Sequence, residues 1–496
     1  MNGSGSRRSF LGLAAAGTAA LAQGRSARGA GNPPPSAPGP APTLGPFATE
    51  PGWSPPSLVV NHAAAGVAPG YIFAAPFLFG PARAGGSGPI ILDNTGQPVW
   101  YLPLSTVQGQ NFAVQTYRGN QVLTWYEGKL GATYGGSCVI YDATYHELKR
   151  VHGGNGYQCD VHEFTVTDKG TALLAIANEI KADLTSVGGA ADARLVEGIV
   201  QEVDIKTNKV LFEWHSYTHV PPSESFRTEV TPAGNVDYFH LNSIDVDTDG
   251  NLLVSARHTS TVYKIDRKSG RIMWRLGGKL NDFTMGAGAA FNFQHDARRR
   301  PDGTITLFDN GATEDPTEHV ETYSRPLRLR INETTKTAAL VRAYVPAVQR
   351  STWAMGNVQE LPDGGVFVGW GTAGGMTEFD AEGNVRFDAS FADGSASYRI
   401  FRFPWQGTPR GRPSINLEQD ATGALTARVS WNGATDVARW QLLSGASASD
   451  LKQLAAVPRR GFETAVTATS PASHVAVAAL DAKRKQLGRT SAIALG

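Results

Sequence analysis

The chain has 496 residues, and its 45 Lys and Arg against 44 Asp and Glu give a formal net charge of +1. That balance, with basic residues scattered rather than striped, excludes a nucleic-acid-binding surface. With 56 Gly, 29 Pro and only 2 Cys, and with runs rich in Val, Ile, Tyr, Phe and Trp, the composition excludes a disulfide scaffold or zinc framework and points to an all-β protein.

In chain order, Ser6-Arg7-Arg8-Ser9-Phe10-Leu11 and the Ala-rich apolar run to Ala22 have the form of a twin-arginine export signal. Residues 1–30 are predicted as that signal peptide, with Ala20-Leu21-Ala22 as a cleavage site, and 31–57 as a flexible Pro/Gly-rich lead-in. The apolar run is too short and too small-residued for a stable membrane span, so the mature protein is expected in the periplasm, the cell envelope or the medium. Cys138 and Cys159 are free to pair in such a place, and the sequence does not say whether they do.

Turn glycines then recur at roughly blade-sized intervals of 50–60 residues, with one longer gap. They are Gly70, Gly119, Gly170, Gly250, Gly303 and Gly364, each inside an apolar-alternating hairpin and each followed by a second strand–turn–strand pattern. Six such four-stranded units predict a six-bladed β-propeller over 58–408, which Ser397–Gly407 closes. Residues 414–496, with VSWNGATDVARWQLLSG and buried-Trp candidates Trp431 and Trp440, predict a small fibronectin type III-like β-sandwich.

Eight residues before each turn glycine stand His62, Asn111, His162, Asn242, His295 and Gly356. Strand period two points equivalent positions the same way, here toward a central channel. A two-residue loop at Asp249-Gly250 sets Asn242 opposite Arg257, with His240 on the same face; one at Asp302-Gly303 sets His295 opposite Asn310. Each of these has a plainer reading. Asn242 and Asn310 could cap strand ends, His240 could be a satisfied core histidine, and Arg257 could pair with Asp296 or Glu163. Arg298-Arg299-Arg300 reads as a solvated turn flank, and His258 as structural or surface.

The phrases FHLNSIDVD, LLVSARHTSTVYKID, IMWRLGGK, FQHDAR, TLFDNG, ELPDGGVFVGWG, GYIFAAPF, DVHEF and YRIFRFPW resemble the arylsulfotransferases that use phenolic sulfate esters as donors, from about Gly70 to Pro404. The resemblance implies a six-bladed propeller and transfer of a sulfuryl group from a phenolic sulfate to a phenolic acceptor through a sulfated histidine, without metal or other cofactor. By motif the nucleophile falls on His295, the supporting histidines on His162 and His240, and the remaining site residues on Asn242 and Arg257. The separate N-terminal sandwich of some members has no room before Gly70, which leaves the family's dimer interface and the oligomeric state open. Neutral imidazole is a competent nucleophile, and one arginine with neutral donors can hold a sulfate monoester.

No nucleotide-phosphate loop of the form G-x-x-x-x-G-K-[ST] occurs in the chain. The competing readings are a metal-dependent propeller lyase or hydrolase and a secreted binding propeller without catalysis. Replacement of Arg7-Arg8 by Lys-Lys is expected to hold the precursor in the cytoplasm. Cell fractionation checks this, and unimpaired export would overturn the signal assignment.

Overall fold

The structure is a computed structural model that describes residues 46–63, 66–79, 87–129, 135–231, 234–312, 322–469 and 471–495. The twin-arginine segment and most of the lead-in lie outside the described residues. Apart from three 3-10 turns of 3 residues each, every regular element described is a strand.

Hairpin turns set the sheets. Between Leu241–Val246 and Leu252–Ala256 the turn closes where the Asp247 amide donates to the Asn251 carbonyl at 2.8 Å, and Gly250 sits at φ 82°, where a side chain would be strained. The loop therefore holds three residues rather than the expected two, and Val246 faces Leu252. A bulge at Asn242 then moves the pairing again, so Arg257 donates its amide to the His240 carbonyl (3.0 Å) and does not face Asn242. The turn at Gly303 behaves alike: His295 faces Phe308 instead of Asn310.

Six sheets, antiparallel but for one short parallel pair in the third and one in the fifth, follow one another along the chain. They begin with Ile400–Phe403, Gln108–Tyr117, Phe164–Val166, Leu241–Val246, His295–Arg299 and Asn357–Glu360; Ile400–Phe403 touches the second sheet, Gln108–Tyr117 the third, Leu241–Val246 both the third and the fifth, and His295–Arg299 the sixth, whose Asn357–Glu360 returns to the first. The first sheet takes its leading strand from Ile400–Phe403, which pairs with Tyr71–Ala74. The sixth takes its outermost strand from Leu58–Ala63, which pairs with Val385–Phe391. His62 is thus an exposed residue of an outer edge, not a channel residue, because the strand before Gly70 completes the last sheet instead of leading the first.

Apolar cores lie between consecutive sheets. Trp214, Phe239 and Tyr263 join the third to the fourth; Trp274, Leu307 and Leu327 join the fourth to the fifth; Leu58, Ile72 and Phe367 join the sixth to the first. Inner strands such as Leu252–Ala256 are buried along their whole length because both faces are covered. Beyond residue 413, Ser414–Gln419, Leu425–Ser430 and Thr464–Ala468 form one sheet, and Arg439–Gly445 centres another. Val429 and Val466 from the first share a core with Trp440 and Val477 from the second. This part docks on the first sheet through the Asn432 side chain, which holds the Tyr101 amide and carbonyl at 3.0 Å each. Cys138 and Cys159 are buried free thiols.

Where the leading strands converge, charge replaces the apolar core. Glu163 accepts from Arg399 (3.1 Å), Arg298 (2.5 Å) and the Ile244 amide (3.1 Å). Asp296 accepts from Arg298 (2.9 Å) and from the Val358 amide (3.0 Å), and Arg399 reaches Asn111 (3.2 Å) and the Asn242 carbonyl (3.0 Å). The group draws on all six leading segments. Burial works against the Glu163 charge, but Arg298 and Arg399 hold its carboxyl at about 2. Arg298 is therefore no solvated turn flank: the turn at Gly303 is tight enough that the strand, and the arginine on it, begins inside the protein. Arg299 and Arg300 are also engaged, on Asp247 (2.8 Å) and the Val358 carbonyl (2.6 Å).

Removing one partner of such a group strands the opposite charges out of water. Glu163→Leu is expected to cost about 3–5 kcal/mol of stability. A fall in the urea midpoint at unchanged slope is the measurement that checks it.

Candidate active site

Four of the six leading segments are kinked where they approach the cavity. Asn111, His240, Asp296 and Met355 have φ of 56°, 53°, 55° and 67°, and the pairing skips beside the first three. The kink lets neighbouring side chains on one strand serve the charged group below and the cavity above.

The cavity measures about 210 Å³. His162, His240, Arg257, His295, Gln110 and Tyr398 supply its polar wall, and Phe77, Phe79 and Trp353 its apolar rim. Phe79 is 58% exposed and packs between Phe77 and Trp353, with ring centroids 5.0 and 5.8 Å away. Two wider grooves, of about 950 and 810 Å³, run along turn residues such as Asp249 and Asp142 and hold none of these side chains.

His295 is fixed by its Nδ1, 2.7 Å from Asn310 Oδ1. Asn310 donates its Nδ2 to the carbonyls of Thr352 (3.0 Å) and Met355 (3.1 Å), so its oxygen is the end that accepts. His295 Nδ1 thus carries the proton and Nε2 the lone pair, which meets the Met355 amide at 3.2 Å. Burial, then the Arg257 charge, push the His295 imidazolium well below the ordinary histidine range.

Two histidine–carboxylate pairs meet side by side in the cavity wall, their rings edge to face with centroids 4.8 Å apart. His162 Nδ1 is bonded to Asp160, and His240 Nδ1 to Asp237 at 2.5 Å. Burial outweighs Asp237 and lowers the His240 pKa, while Asp237 is held below the usual carboxylate range because His240 and His258 outweigh its own burial. His258 donates Nδ1–H to the Asp237 carbonyl (2.6 Å) and accepts from Arg257 Nη1 at Nε2 (2.7 Å). Burial drives its pKa well down. Arg257 is clamped further by the Trp353 carbonyl (2.8 Å) and lies over the Phe293 ring.

Asp237, His240 and His258 offer ligand atoms within 4.8 Å of one another and are the described residues that could hold a metal ion. Their inward ring nitrogens are already engaged with Asp237, and Arg257 brings a positive charge against them.

A profile of the arylsulfotransferase (ASST) family matches residues 113–392, more than half of the chain. The protein belongs to the arylsulfotransferase family.

No curated protein matches the sequence. Among solved structures, a protein of unknown function from Bacteroides caccae is 14% identical over 67% of this chain and 98% of that one, with a TM-score of 0.42. A catalytically inactive virginiamycin B lyase from Staphylococcus aureus, solved with quinupristin, is 9% identical over 80% and 98%, with a TM-score of 0.31. Likenesses this distant say nothing of the chemistry here.

Within the arylsulfotransferase-family span, His162, His240, Arg257 and His295 meet at one cavity, and Asn242 does not line it. The bulge turns Asn242 toward the fifth sheet, where its Nδ2 donates to the Gln294 carbonyl at 2.7 Å. Its own carbonyl accepts from Tyr398 Oη and Arg399, each at 3.0 Å. Arg257 pairs with neither Asp296 nor Glu163, which are taken by Arg298 and Arg399. Sequence reasoning missed His258, Asp160 and Asp237. The spacings Asp160-x-His162 and Asp237-x-x-His240 were the available signal, since a carboxylate beside each histidine orients its ring. Tyr398 was missed because it occupies the place expected of His62.

His295, His258 and His240 resist protonation in the fold, whereas unfolded histidines titrate near about 6.5. Below that pH the unfolded chain binds protons that the folded one refuses. Stability is therefore expected to be level above neutrality and to fall as pH drops below about 6.5, less steeply in His258→Gln. Urea unfolding at a series of pH values reads this directly.

Proposed function

We propose that this protein moves a sulfuryl group from a phenolic sulfate ester to a phenolic acceptor through a sulfated His295, without a metal. The observation that carries the reading is the His295–Asn310 bond, which leaves the Nε2 lone pair toward the cavity that Arg257 and His240 share. We further infer that the six sheets are the blades of a propeller, that the last two sheets form a β-sandwich, and that the protein works after twin-arginine export.

In the first half-reaction Nε2 attacks sulfur as the Met355 amide yields, and the bond from sulfur to the aryl oxygen breaks. The aryl oxygen leaves with the electron pair and takes a proton from His240 in its minor imidazolium form, which the Asp237 contact supports against burial. The product is an N-sulfated imidazolium, neutral overall, beside Arg257. In the second half-reaction the acceptor phenol returns its proton to His240, its oxygen attacks sulfur, and the N–S pair goes back to Nε2. Arg257 holds sulfuryl oxygens throughout, and its contacts to His258 and Trp353 fix its direction. Asn242 acts by position, through the Gln294 carbonyl and Tyr398. His162, anchored on Asp160, stands beside His240 as the second proton carrier. Phe77, Phe79 and Trp353 offer faces to the aryl ring.

The Asp237–His240–His258 group supports the rival reading of a metal-dependent hydrolase or lyase. Stoichiometric metal in the purified protein, with activity lost to chelators, would favour that rival.

Donor given alone is expected to release roughly one equivalent of phenol per site in a burst, with ping-pong kinetics in the full reaction. His295→Ala abolishes the burst; Arg257→Ala slows it by ~10²–10³-fold, and Arg257→Lys recovers little because a point charge cannot replace a planar fork. A sequential mechanism would remove the covalent step. His240→Ala is expected to slow esters of poorly acidic phenols most, and His162→Ala less. The reverse order, measured over a series of leaving groups, exchanges their roles.

A further inference from the structure

The cavity has one more polar wall residue, and it lies outside the matched family span: Gln110. It stands on Gln108–Tyr117 immediately before the kink at Asn111, and it is 1% exposed. Its Oε1 accepts the Tyr398 amide at 3.4 Å. Turning the carboxamide end for end would set its NH2 against that N–H, so the network fixes which end is which. The Nε2 then has no hydrogen-bond acceptor among the described residues. A buried donor left without an acceptor weakens a fold, and a position that keeps one has a use for it.

What would satisfy that donor follows from its surroundings. Among the residues lining the cavity Arg257 is the one arginine or lysine, and His295 and His240 resist protonation. One fixed positive charge, neutral N–H donors and a deprived amide suit a tetrahedral oxyanion of single charge. A dianionic phosphate ester would call for a second cation.

We propose that Gln110 is a catalytic residue whose Nε2 donates to a sulfuryl oxygen of the aryl sulfate and of the sulfated His295, forming with Arg257 a seat selective for sulfate over phosphate monoesters. The assignment rests on the sulfuryl-transfer reading. No bond to Gln110 forms or breaks.

The test uses the full chain and methyl sulfate, a singly charged sulfate ester, with dianionic methyl phosphate for comparison. Gln110→Glu keeps the shape and the acceptor for the Tyr398 amide but removes the donor, so it is the variant that should fold. Methyl sulfate is expected to raise the thermal midpoint of the unaltered protein more than methyl phosphate does, and to leave that of Gln110→Glu unchanged. The burst from a chromogenic aryl sulfate should slow ~10²–10³-fold in Gln110→Glu and in Gln110→Ala. In Gln110→Glu the deficit relative to the unaltered protein should narrow as pH falls, because a protonated carboxyl donates again. A merely structural residue would show no such recovery.

Stabilisation by methyl sulfate and a burst both undiminished in Gln110→Glu would overturn the assignment. So would a ligand-free midpoint lowered in both variants with no pH recovery. An unaltered protein that gives no burst from aryl sulfates, yet loses stabilisation by methyl sulfate on Gln110→Glu, would remove the transfer reading and keep the anion seat.

Discussion

Four charges, three of them buried and Arg298 nearly so, hold the molecule's centre. Glu163, Asp296, Arg298 and Arg399 lie where six leading segments come together, and each segment gives the group a side chain or a backbone partner. An apolar plug would fill the same space with contacts that tolerate sliding. Directed hydrogen bonds to charged groups do not, since a shift of an ångström leaves a charge unpaired in a dry interior. Three side chains of the cavity wall stand one residue away from this group in sequence: His162 before Glu163, His295 before Asp296, Tyr398 before Arg399. These three thus inherit their positions from neighbours that cannot move.

The same arrangement sets the electrostatics of the cavity. The charges of the central group are matched among themselves, so the cavity wall is left with Arg257 as its fixed charge and with His295 and His240, whose protonation burial opposes. Neutrality suits a nucleophile, and a single fixed cation suits a singly charged ester that must also leave. His258 shows how Arg257 is kept in place without losing its charge: a neutral imidazole accepts from the guanidinium where a carboxylate would have cancelled it.

Much of this was legible in the chain. The turn glycines and alternating strands gave the hairpins, and the motif positions of His162, His240, Arg257 and His295 converge on one cavity. The exact pairing was not legible, because a three-residue turn and a bulge each move the register by one, and neither leaves a mark in apolar alternation. Asn242 shows the result: it faces the next sheet where the flat-hairpin reading had it facing Arg257. Local pattern was also silent on which strand leads the first sheet. That depends on residues about 330 apart finding each other, as Tyr71 and Phe403 do, and put Tyr398 where His62 was expected. The arginine run 298–300 misled because charge suggests solvent, while Arg298 and Arg299 meet the buried carboxylates Glu163 and Asp247 and Arg300 meets the Val358 carbonyl, all far away in sequence.

That ring closure has a temporal side. Tyr398 and Arg399 arrive with the strand Ile400–Phe403, which completes a sheet begun more than three hundred residues earlier. Until synthesis has passed that strand, Glu163 lacks an arginine, Gln110 lacks the amide that orients it, and the cavity lacks a wall. Contacts of such long sequence separation form late and slowly. A nascent or truncated chain can therefore carry His295 and every other residue of the matched span and still have no working pocket, so competence for chemistry is withheld until the ring is shut.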